Sequence, residues 1–362
     1  MKADLIFFDA GAGHRATAQA LFESMRGKWE VSLIDFRDVI DDVDLIKRFT
    51  TVTIEDFYNW YLRQGYTVGS GVMLRVFQAM VRGFHGRLTK AVTKYWESRS
   101  PDIIVSLVPN INLPLFSGTK ALNKPYVTIM TDMEDQAPHF WMEQQDQYII
   151  VGTDLSYMQA RGYYERDHIF QVSGLVVHPT FYTETSVYPA EAPCALICFG
   201  GSGSARMIPP ALTLDSMGIT PIIICGHNDE LLQQIKAMTF KTPRVLVGFV
   251  SNLPHFMNAS QFMVGKPGPG MIAQALVKGL PVLLDNVNVM VQERYNLTWV
   301  QQNGVGWGGD ICDSKVIIDF VRNLDSYRSK VAALPPNRAV MEIPDILESI
   351  VNGRHQKNPD QS

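Results

Sequence analysis

Short apolar segments that recur along the whole chain constrain its fold more than any other feature of the sequence. "DLIFF", "DIIVSLV" and "YIIVG" lie in the first half, and "CALIC" and "PIIIC" lie in the second. They are rich in β-branched or aromatic residues, lack strict alternation, and end next to Gly, Asp, Thr or Ser. Parallel strands that are buried on both faces have this composition. Because helical stretches separate the segments in both halves, the pattern predicts an α/β fold with two doubly wound domains.

The chain length and one polar segment indicate where the domains meet. A chain of 362 residues is long enough for two ordinary domains. Residues 173–194, which are rich in Pro, Thr and Ser, separate the two series of apolar segments. We therefore predict an N-terminal domain over 1–173 and a C-terminal domain over 174–335. A last helix within 336–362 is expected to pack back on the first domain.

Composition and charge exclude several classes of partner. The formal net charge is −4, so no overall field attracts nucleic acid, and we predict no nucleic-acid partner. The cysteines Cys194, Cys198, Cys225 and Cys312 lack zinc-like spacing and are typical of reduced thiols in a cytoplasmic protein. No uncharged apolar stretch is long enough to span a membrane. The sequence thus predicts a cytoplasmic protein without a metal site.

One basic amphipathic segment, about 69–96, interrupts the strand–helix rhythm and allows two interpretations. It reads as helix, with a break expected at Gly83–Gly86. Its apolar residues are Met73, Leu74, Phe77, Met80, Val81, Phe84 and Leu88, and its cations are Arg75, Arg82, Arg87, Lys90 and Lys94. Such a helix can lie in a membrane interface. It can equally pack its apolar stripe into the core and leave its basic face in water.

The first glycine loop, "GAGHRA", also has two interpretations. Gly11 and Gly13 let the main chain turn sharply, and the following helix directs its N–H groups at an anion. The spacing fits a dinucleotide-binding loop, with Asp35 about 20 residues on as the ribose-binding acid. His14 has no task in hydride transfer, but it could act as a base or as a donor to a substrate. An NAD(P)-dependent oxidoreductase and a histidine-assisted reaction both stay open at this point.

Two further glycine loops occur in the C-terminal half. One covers Gly200–Ser204, and the other covers Gly265–Gly270 before a helix predicted from about Met271. Each loop offers main-chain N–H groups at a helix N-terminus. Two such loops in one cleft can hold a diphosphate without a metal, whereas a dehydrogenase with a single site would not need both. The second half therefore favours a protein that binds a diphosphate between these two loops over a dehydrogenase with a single site.

Three segments resemble one known family. "GAGHRATAQAL" resembles the G-G-G-H-R-A-S-A opening of the monogalactosyldiacylglycerol synthases and of related bacterial diacylglycerol glucosyltransferases. "VTIMTDMEDQAPHFW" is similar to the family's T-D segment with a following His and Trp. The stretch from Gly248 to Leu284 is similar to its long nucleotide-sugar signature. The resemblance runs in order from Asp9 to about Gly306. A more distant relative is the N-acetylglucosaminyltransferase that completes the lipid-linked peptidoglycan precursor.

The resemblance implies a fold and an activity. The fold is GT-B, in which two Rossmann-like domains face each other across a cleft. The activity is an inverting transfer of a hexose from a UDP-sugar, bound by the C-terminal domain, to a lipid hydroxyl such as that of diacylglycerol. No metal or other cofactor is expected. The enzyme would be peripheral on the inner face of the membrane, in contact with an anionic lipid surface through residues 69–96.

The resemblance and the chemistry together assign candidate site residues. His14 is the first candidate for the base, and Asp132 is the second candidate or the partner of a histidine. Acceptor contacts are expected from Gly11, Gly13, His139 and Trp141. The donor diphosphate is assigned to Gly200, Gly201, Ser202, Gly203, Ser204, Gly268, Pro269, Gly270 and Met271. The main chain at Phe249 and Val250 is expected to contact the nucleotide base of the donor. The donor sugar is expected to contact Gln292, Glu293 and Asn296.

The sequence departs from the family pattern at a few positions, and other functions stay open. Gln274 replaces an acid that would accept both ribose hydroxyls, "NVMVQE" lacks a Pro-Gly turn, and Ala12 replaces a glycine. The exact donor sugar is therefore open, as is another lipid-linked or small acceptor. The alternatives from other classes are an NAD(P)-dependent oxidoreductase, a non-hydrolysing UDP-sugar epimerase, and a binding protein without catalytic activity.

Overall fold

The chain forms two compact units. The computed structural model describes residues 1–8, 13–40, 70–135, 141–143, 147–190 and 193–353, with only the backbone described at 70–74 and 77. The first unit is Met1–Pro179 together with the segment that begins at Asn337, and the second unit is Thr180–Pro336. These divisions lie close to the expected domain limits.

The first unit is built on a six-stranded sheet in which all neighbouring strands are parallel, in the order β2-β1-β3-β4-β5-β6. Its strands are β1 Lys2–Phe7, β2 Glu30–Asp35, β3 Ile103–Ser106, β4 Tyr126–Ile129, β5 Tyr148–Val151 and β6 Ile169–Gln171. The core strands β3 and β4 are buried at every residue. This burial explains why their sequences are continuous apolar runs rather than alternating ones.

Helices flank this sheet, and the basic segment forms two of them. The helices are α1 Gly13–Met25, α2 Phe36–Ile40, α3 Ser70–Gly83, α4 His85–Glu97, α5 Asn112–Ala121 and α6 Asp154–Ala160. The break between α3 and α4 falls at Phe84, as the sequence predicts. Ala91, Val92 and Trp96 of α4 are buried, so part of the apolar stripe does pack into the core.

A buried acid connects α4 to the first sheet. Asp4 on β1 is almost fully buried. Its Oδ2 accepts hydrogen bonds from Trp96 Nε1 at 2.9 Å and from Arg99 Nε at 3.0 Å. A buried carboxylate without partners would be costly, so these two donors explain how an acid is tolerated in the first strand.

The second unit has the Rossmann strand order. Its sheet is parallel throughout, in the order β12-β11-β10-β7-β8-β9. The strands are β7 Cys194–Cys198, β8 Thr220–Ile224, β9 Val245–Val247, β10 Met263–Gly265, β11 Val282–Asp285 and β12 Gly306–Gly309. The helices of this unit are α7 Thr180–Thr183, α8 Ile208–Ser216, α9 Asp229–Lys236, α10 Leu253–Ala259, α11 Pro269–Val277, α12 Arg294–Gln302, α13 Ser314–Arg322 and α14 Leu324–Ala332.

One strand of the second sheet has no apolar signature in the sequence. β12 reads "GWGG", which is typical of a loop rather than a strand. A Cβ at Gly306 would lie 2.0 Å from the carbonyl oxygen of Val282 on the neighbouring strand. Only glycine allows β12 to approach β11 this closely. Pairing between the two strands, rather than strand propensity, therefore explains the glycine at position 306.

The C-terminal helix α15 (Ala339–Val351) belongs to the first unit. Ser24 on α1 donates a hydrogen bond to the carbonyl oxygen of Val340. The main-chain N–H of Ser173 donates to Glu342 Oε2 at 2.8 Å, and Asn337 Nδ2 donates to the Leu175 carbonyl oxygen at 2.8 Å. The chain therefore returns to the first unit after it has completed the second.

Each sheet has one point at which the strand order reverses. The reversal lies between β1 and β3 in the first sheet and between β7 and β10 in the second. In open parallel sheets, ligands bind beyond the carboxyl ends of the strands at such a switch point. The loops after these four strands are therefore the first places to look for a site. Across the described ranges, no helix combines the length and the apolarity that a membrane span requires.

The packing of α4 against α5 generates a stability prediction. A Cβ at Gly118 would lie 2.3 Å from Val92 Cγ1 and 2.7 Å from Val92 Cβ. Alanine favours a helix over glycine by about 1 kcal/mol, but overpacking costs about 1–3 kcal/mol. We expect Gly118→Ala to lower the urea midpoint of unfolding. Gly86→Ala is the matched control, because no heavy atom lies within 4 Å of a Cβ there. Equal midpoints for the two variants would contradict this packing.

Candidate functional site

His14 lies at the switch point of the first sheet. It is the second residue of α1, which follows β1, and its side chain is half-buried. Its Nδ1 is 3.3 Å from Thr131 Oγ1, at the carboxyl end of β4. Its ring centroid is 5.9 Å from the ring of Trp141. Groups that are far apart in sequence thus meet around one imidazole, as expected for residues that follow neighbouring parallel strands.

Desolvation favours the neutral form of the His14 imidazole. Burial lowers the pKa of His14 to about 4, and a hydrogen bond to the main chain of Leu107 partly opposes this shift. Leu107 directly follows β3, the strand across the switch point from β1. A neutral imidazole can accept a proton, as a general base must, and the lowered pKa makes it a weaker base than an exposed histidine.

Asp132 and Trp141 form a pair beside His14. Trp141 Nε1 donates a hydrogen bond to Asp132 Oδ2 at 2.8 Å. Trp141 is fully buried, and Asp132 is half-buried. The structure therefore brings together three predicted residues of the acceptor side. Gly13 opens α1 next to them, whereas Gly11 and His139 lie outside the described residues.

Two buried polar side chains that the sequence did not single out hold Trp141 in place. Asp135 accepts hydrogen bonds from the main-chain N–H groups of Trp141 and Met142, at 3.0 and 3.1 Å. Asn112 donates from Nδ2 to the carbonyl oxygen of Trp141 at 3.1 Å and accepts from Tyr126 at 2.7 Å. Asp135 lies in a polar stretch between Glu134 and Gln136, which gives no sign that it is buried. Asn112 has partners 14 and 29 residues away, so its role could not be assigned from the sequence.

In the second unit, the loop Gly200–Ser204 follows β7 and depends on glycine. Gly200 and Gly203 have φ angles of +74° and +58°. A Cβ at Gly203 would lie 2.5 Å from the carbonyl oxygen of Cys225. The main-chain N–H of His227 donates to the Gly201 carbonyl oxygen at 2.8 Å. The loop after β8 therefore supports the loop after β7 through main-chain contacts that a side chain would block.

An arginine anchors the end of this loop. Ser204 accepts a hydrogen bond from the Arg206 main chain, and the Arg206 guanidinium forms an ion pair with buried Asp285 at the end of β11. A second ion pair joins Arg206 to Asp310 at 2.6 Å. Paired and partly buried charges of this kind hold a definite geometry. The glycine loop is therefore fixed to the carboxyl ends of neighbouring strands.

The second loop follows β10 and leads into α11. Gly268 is the N-cap residue of α11, and no side chain caps the N–H groups of the first turn, which includes Pro269, Gly270 and Met271. The helix dipole adds partial positive charge at this end. Gln274 lies one turn further along α11 and is half-buried. This end of α11 is suited to a phosphate.

Two of the predicted sugar-binding residues hold this second loop. Asn296 is fully buried and donates from Nδ2 to the carbonyl oxygen of Pro267 at 2.7 Å. Glu293 is also buried, and its Oε1 lies 3.8 Å from Lys266 Nζ. Gln292, next to Glu293, directs its amide to the Met290 sulfur at 3.5 Å. The predicted contacts of this trio with a sugar stay a prediction.

An aromatic pair lies beside the first loop of the second unit. Phe249, which follows β9 and precedes Val250, is 60% exposed. Its ring stacks on His227, with centroids 4.3 Å apart and an interplanar angle of 15°. His227 was not singled out in the sequence, although it directly follows the "PIIIC" strand and a glycine. An exposed stacked pair offers a flat apolar surface.

Comparisons with known proteins give relatives in sequence. No family model matches the chain. A probable monogalactosyldiacylglycerol synthase of Glycine max is 24% identical over 333 residues, which are 84% of this chain and 62% of the relative. The synthase of Spinacia oleracea is 26% identical over 83% of this chain and 62% of its own length. The chain thus spans about three fifths of these two relatives. Monogalactosyldiacylglycerol synthase 3 of Arabidopsis thaliana is 24% identical over 99% of this chain and 81% of its own length.

Solved structures match the fold at lower identity. The glycotransferase of kitacinnamycin superposes with a TM-score of 0.65 at 11% identity, over 96% of this chain and 98% of its own. MurG of Acinetobacter baumannii superposes with a TM-score of 0.59 at 12% identity, over 96% and 99%. Identity this low is evidence about the fold alone. The chain therefore has the GT-B fold, and over most of its length its sequence resembles the monogalactosyldiacylglycerol synthases.

Proposed function

We propose that the protein is an inverting glycosyltransferase that moves a hexose from a UDP-sugar to a lipid hydroxyl, with diacylglycerol as the first candidate acceptor. One observation carries this proposal. A chain that matches galactolipid synthases over most of its length has a neutral histidine, His14, at the switch point of its first sheet. Another lipid-linked or small acceptor remains the alternative within this class.

His14 is the proposed base of the transfer. As the acceptor oxygen forms a bond to the anomeric carbon, its proton passes to the neutral imidazole. The bond from that carbon to the diphosphate oxygen breaks, its electron pair leaves with UDP, and the configuration at the carbon inverts. The pair Asp132 and Trp141 lines the same place and is proposed to orient the acceptor. Asp132 accepts from the indole, which favours a positioning role over a role as base.

The donor is proposed to bind the second unit. Loop Gly200–Ser204 and the N-terminus of α11 follow the two strands at the switch point of the second sheet. They supply main-chain N–H groups and a helix dipole to the diphosphate. The stacked pair His227 and Phe249 is proposed to meet the nucleotide base. No metal is needed in this arrangement.

An oxidoreductase is less well supported by the same geometry. The acid on which that reading depends, Asp35, accepts hydrogen bonds from the main-chain N–H and the guanidinium Nε of Arg37, at 3.0 Å each. A carboxylate that is already paired is a poorer partner for a ribose. The proteins of similar fold reported above are glycosyltransferases.

An anionic membrane is the proposed surface on which the acceptor is met. Val76, Met80 and Phe84 follow one another at four-residue intervals on α3 and its end, and they are 56, 45 and 38% exposed. Arg82 and Arg87 are exposed beside them. Apolar side chains that enter the interface and cations that meet anionic headgroups are the two parts of peripheral binding. The inner face of the cytoplasmic membrane fits this charge.

The first prediction from this proposal concerns the product. The protein is incubated with anionic liposomes that contain diacylglycerol, and a panel of UDP-sugars and a chelator are added to the solution. We expect a hexosyl lipid to form from one donor, detected by mass spectrometry. His14→Ala should lower the rate by about 10²–10⁴-fold while UDP still protects the protein against heat. Release of UDP without a lipid product would contradict the acceptor assignment. NADH protection with no effect of UDP would favour the oxidoreductase.

The second prediction concerns the titration of His14. By NMR, its ring signals should titrate near pH 4, because burial favours the neutral form. The signals are identified by their loss in His14→Gln. A histidine whose folded pKa is lowered binds fewer protons than the unfolded chain below about pH 6.5, so folding stability falls as the pH drops towards 4. His14→Gln should flatten that part of the pH–stability curve. A midpoint near 6.5 would contradict the burial.

The third prediction concerns the membrane. Each cation near an anionic surface contributes about 1 kcal/mol. Removal of two of them in Arg82→Gln/Arg87→Gln should weaken binding to phosphatidylglycerol-containing liposomes by roughly 30-fold at low salt, measured by co-sedimentation. Binding by the variant should also depend less on salt. Lys315→Gln, an exposed cation of the second unit, is the matched control. Unchanged binding by the double variant would contradict the docking surface.

A further inference from the structure

Lys266 occupies the switch point of the second sheet and carries a full positive charge between the two glycine loops. It directly follows β10, which is paired with β7. A Cβ at Gly200 would lie 3.7 Å from Lys266 Cε, and a Cβ at Gly268 would lie 3.5 Å from the same atom. The lysine stem therefore runs past both loops that are proposed to hold the diphosphate.

The ammonium group of Lys266 is only loosely paired. Within the described part of the chain, its ion-pair partner is Glu293, whose Oε1 lies 3.8 Å from Lys266 Nζ, which is longer than a hydrogen bond. The Lys266 side chain is 41% exposed, whereas that of Glu293 is 8% exposed. Burial raises the pKa of Glu293, and the charge of Lys266 opposes the shift. A long, partly exposed side chain with a weak partner can turn towards an incoming anion.

Arg206, the cation that follows loop Gly200–Ser204, is already paired. Arg206 pairs with both Asp285 and Asp310, so that group of three charges is negative as a whole. Lys266, in contrast, lies against both loops, and its ion-pair partner Glu293 is 3.8 Å away.

The loop that carries Lys266 is held by buried groups. Asn296 fixes Pro267 through its amide N–H, and Asn296 Oδ1 has no hydrogen-bond partner among the described residues. The main-chain N–H of Gly268 donates to the Lys266 carbonyl oxygen at 2.8 Å, which turns the chain sharply after the lysine. These contacts fix the turn from which the Lys266 side chain extends.

We propose that Lys266 is the cation that neutralises the charge that develops on the leaving diphosphate, with Glu293 as the residue that positions it. This inference rests on the proposed function. When the bond between the anomeric carbon and the diphosphate oxygen breaks, the electron pair stays on that oxygen and the diphosphate gains one unit of negative charge. The acceptor proton goes to His14. The α11 N-terminus supplies about half a charge, and an ammonium group supplies a full one.

The test compares variants that differ in charge at this one position. Lys266→Met removes the charge and keeps the length, Lys266→Gln removes the charge and keeps polarity, and Lys266→Arg keeps the charge. Lys236→Met is the matched control. Lys236 is an exposed lysine of the same unit at the last residue of α9, a helix that begins near the carboxyl end of β8 and runs to the opposite edge of the sheet. The readouts are calorimetric affinity for UDP and UMP, and kcat with the UDP-hexose that the wild type consumes.

A contact to the diphosphate predicts a specific pattern. Lys266→Met and Lys266→Gln should lower kcat by about 10²-fold and weaken UDP by at least about tenfold, with a smaller effect on UMP, while Lys266→Arg recovers most of both. Lys236→Met should match the wild type. A purely structural lysine would weaken UDP and UMP equally, and that result would overturn the assignment even for a less stable variant.

The outcomes also separate this inference from the proposed function. If the wild type neither binds UDP nor consumes a UDP-sugar, the proposed function fails, and the assignment of Lys266 fails with it. If the wild type does both, and Lys266→Met behaves as Lys236→Met does, the proposed function stands and Lys266 has no part in it. Full activity of Lys266→Gln would have the same meaning.

Discussion

The reversal of strand order within each parallel sheet is the constraint on which both candidate sites depend. Because parallel strands all present their carboxyl ends at one edge, the reversal leaves two adjacent loops that diverge and open a space between them. In the first sheet this space receives His14, the main chain after β3 and the end of β4. In the second sheet it receives two glycine loops with Lys266 between them. The proposed base and the proposed diphosphate site therefore depend on the same geometry.

Close approach of main chains sets the composition of the second site. A Cβ at Gly226 would lie 2.3 Å from the Gly201 carbonyl oxygen, and one at Gly265 would lie 2.6 Å from that of Cys198. Glycine at these positions lets neighbouring loops support one another through the backbone. The N–H groups that remain can then face a ligand. The two cations at this site differ in their pairing. Arg206 forms an ion pair with Asp285 that holds the loop, whereas Lys266 is 3.8 Å from its partner Glu293.

Much of the fold was predictable, and the exceptions have physical causes. Every apolar segment of the first half forms a strand, because burial on both faces demands a continuous apolar sequence. The sequence did not predict β12, because glycine has low strand propensity. Its glycines are required by the close approach of β11. His14, Asp132 and Trp141 were predicted and do meet. Asn112 was not predicted, because its partners lie 14 and 29 residues away, and Asp135 was not predicted, because it accepts from main-chain N–H groups that no side-chain pattern marks.

The sequence by itself determined the α/β class, the two series of strands, the glycine loops and the resemblance to the galactolipid synthases, since these depend on local pattern and on motifs. Only the tertiary structure decided what each polar residue does. Asn296 and Glu293 are buried against the second loop. The carboxylate of Asp132 accepts a hydrogen bond from the indole of Trp141, and burial lowers the pKa of His14. Burial and the choice of hydrogen-bond partner depend on how the chain folds in three dimensions, so they cannot be read from the order of residues alone.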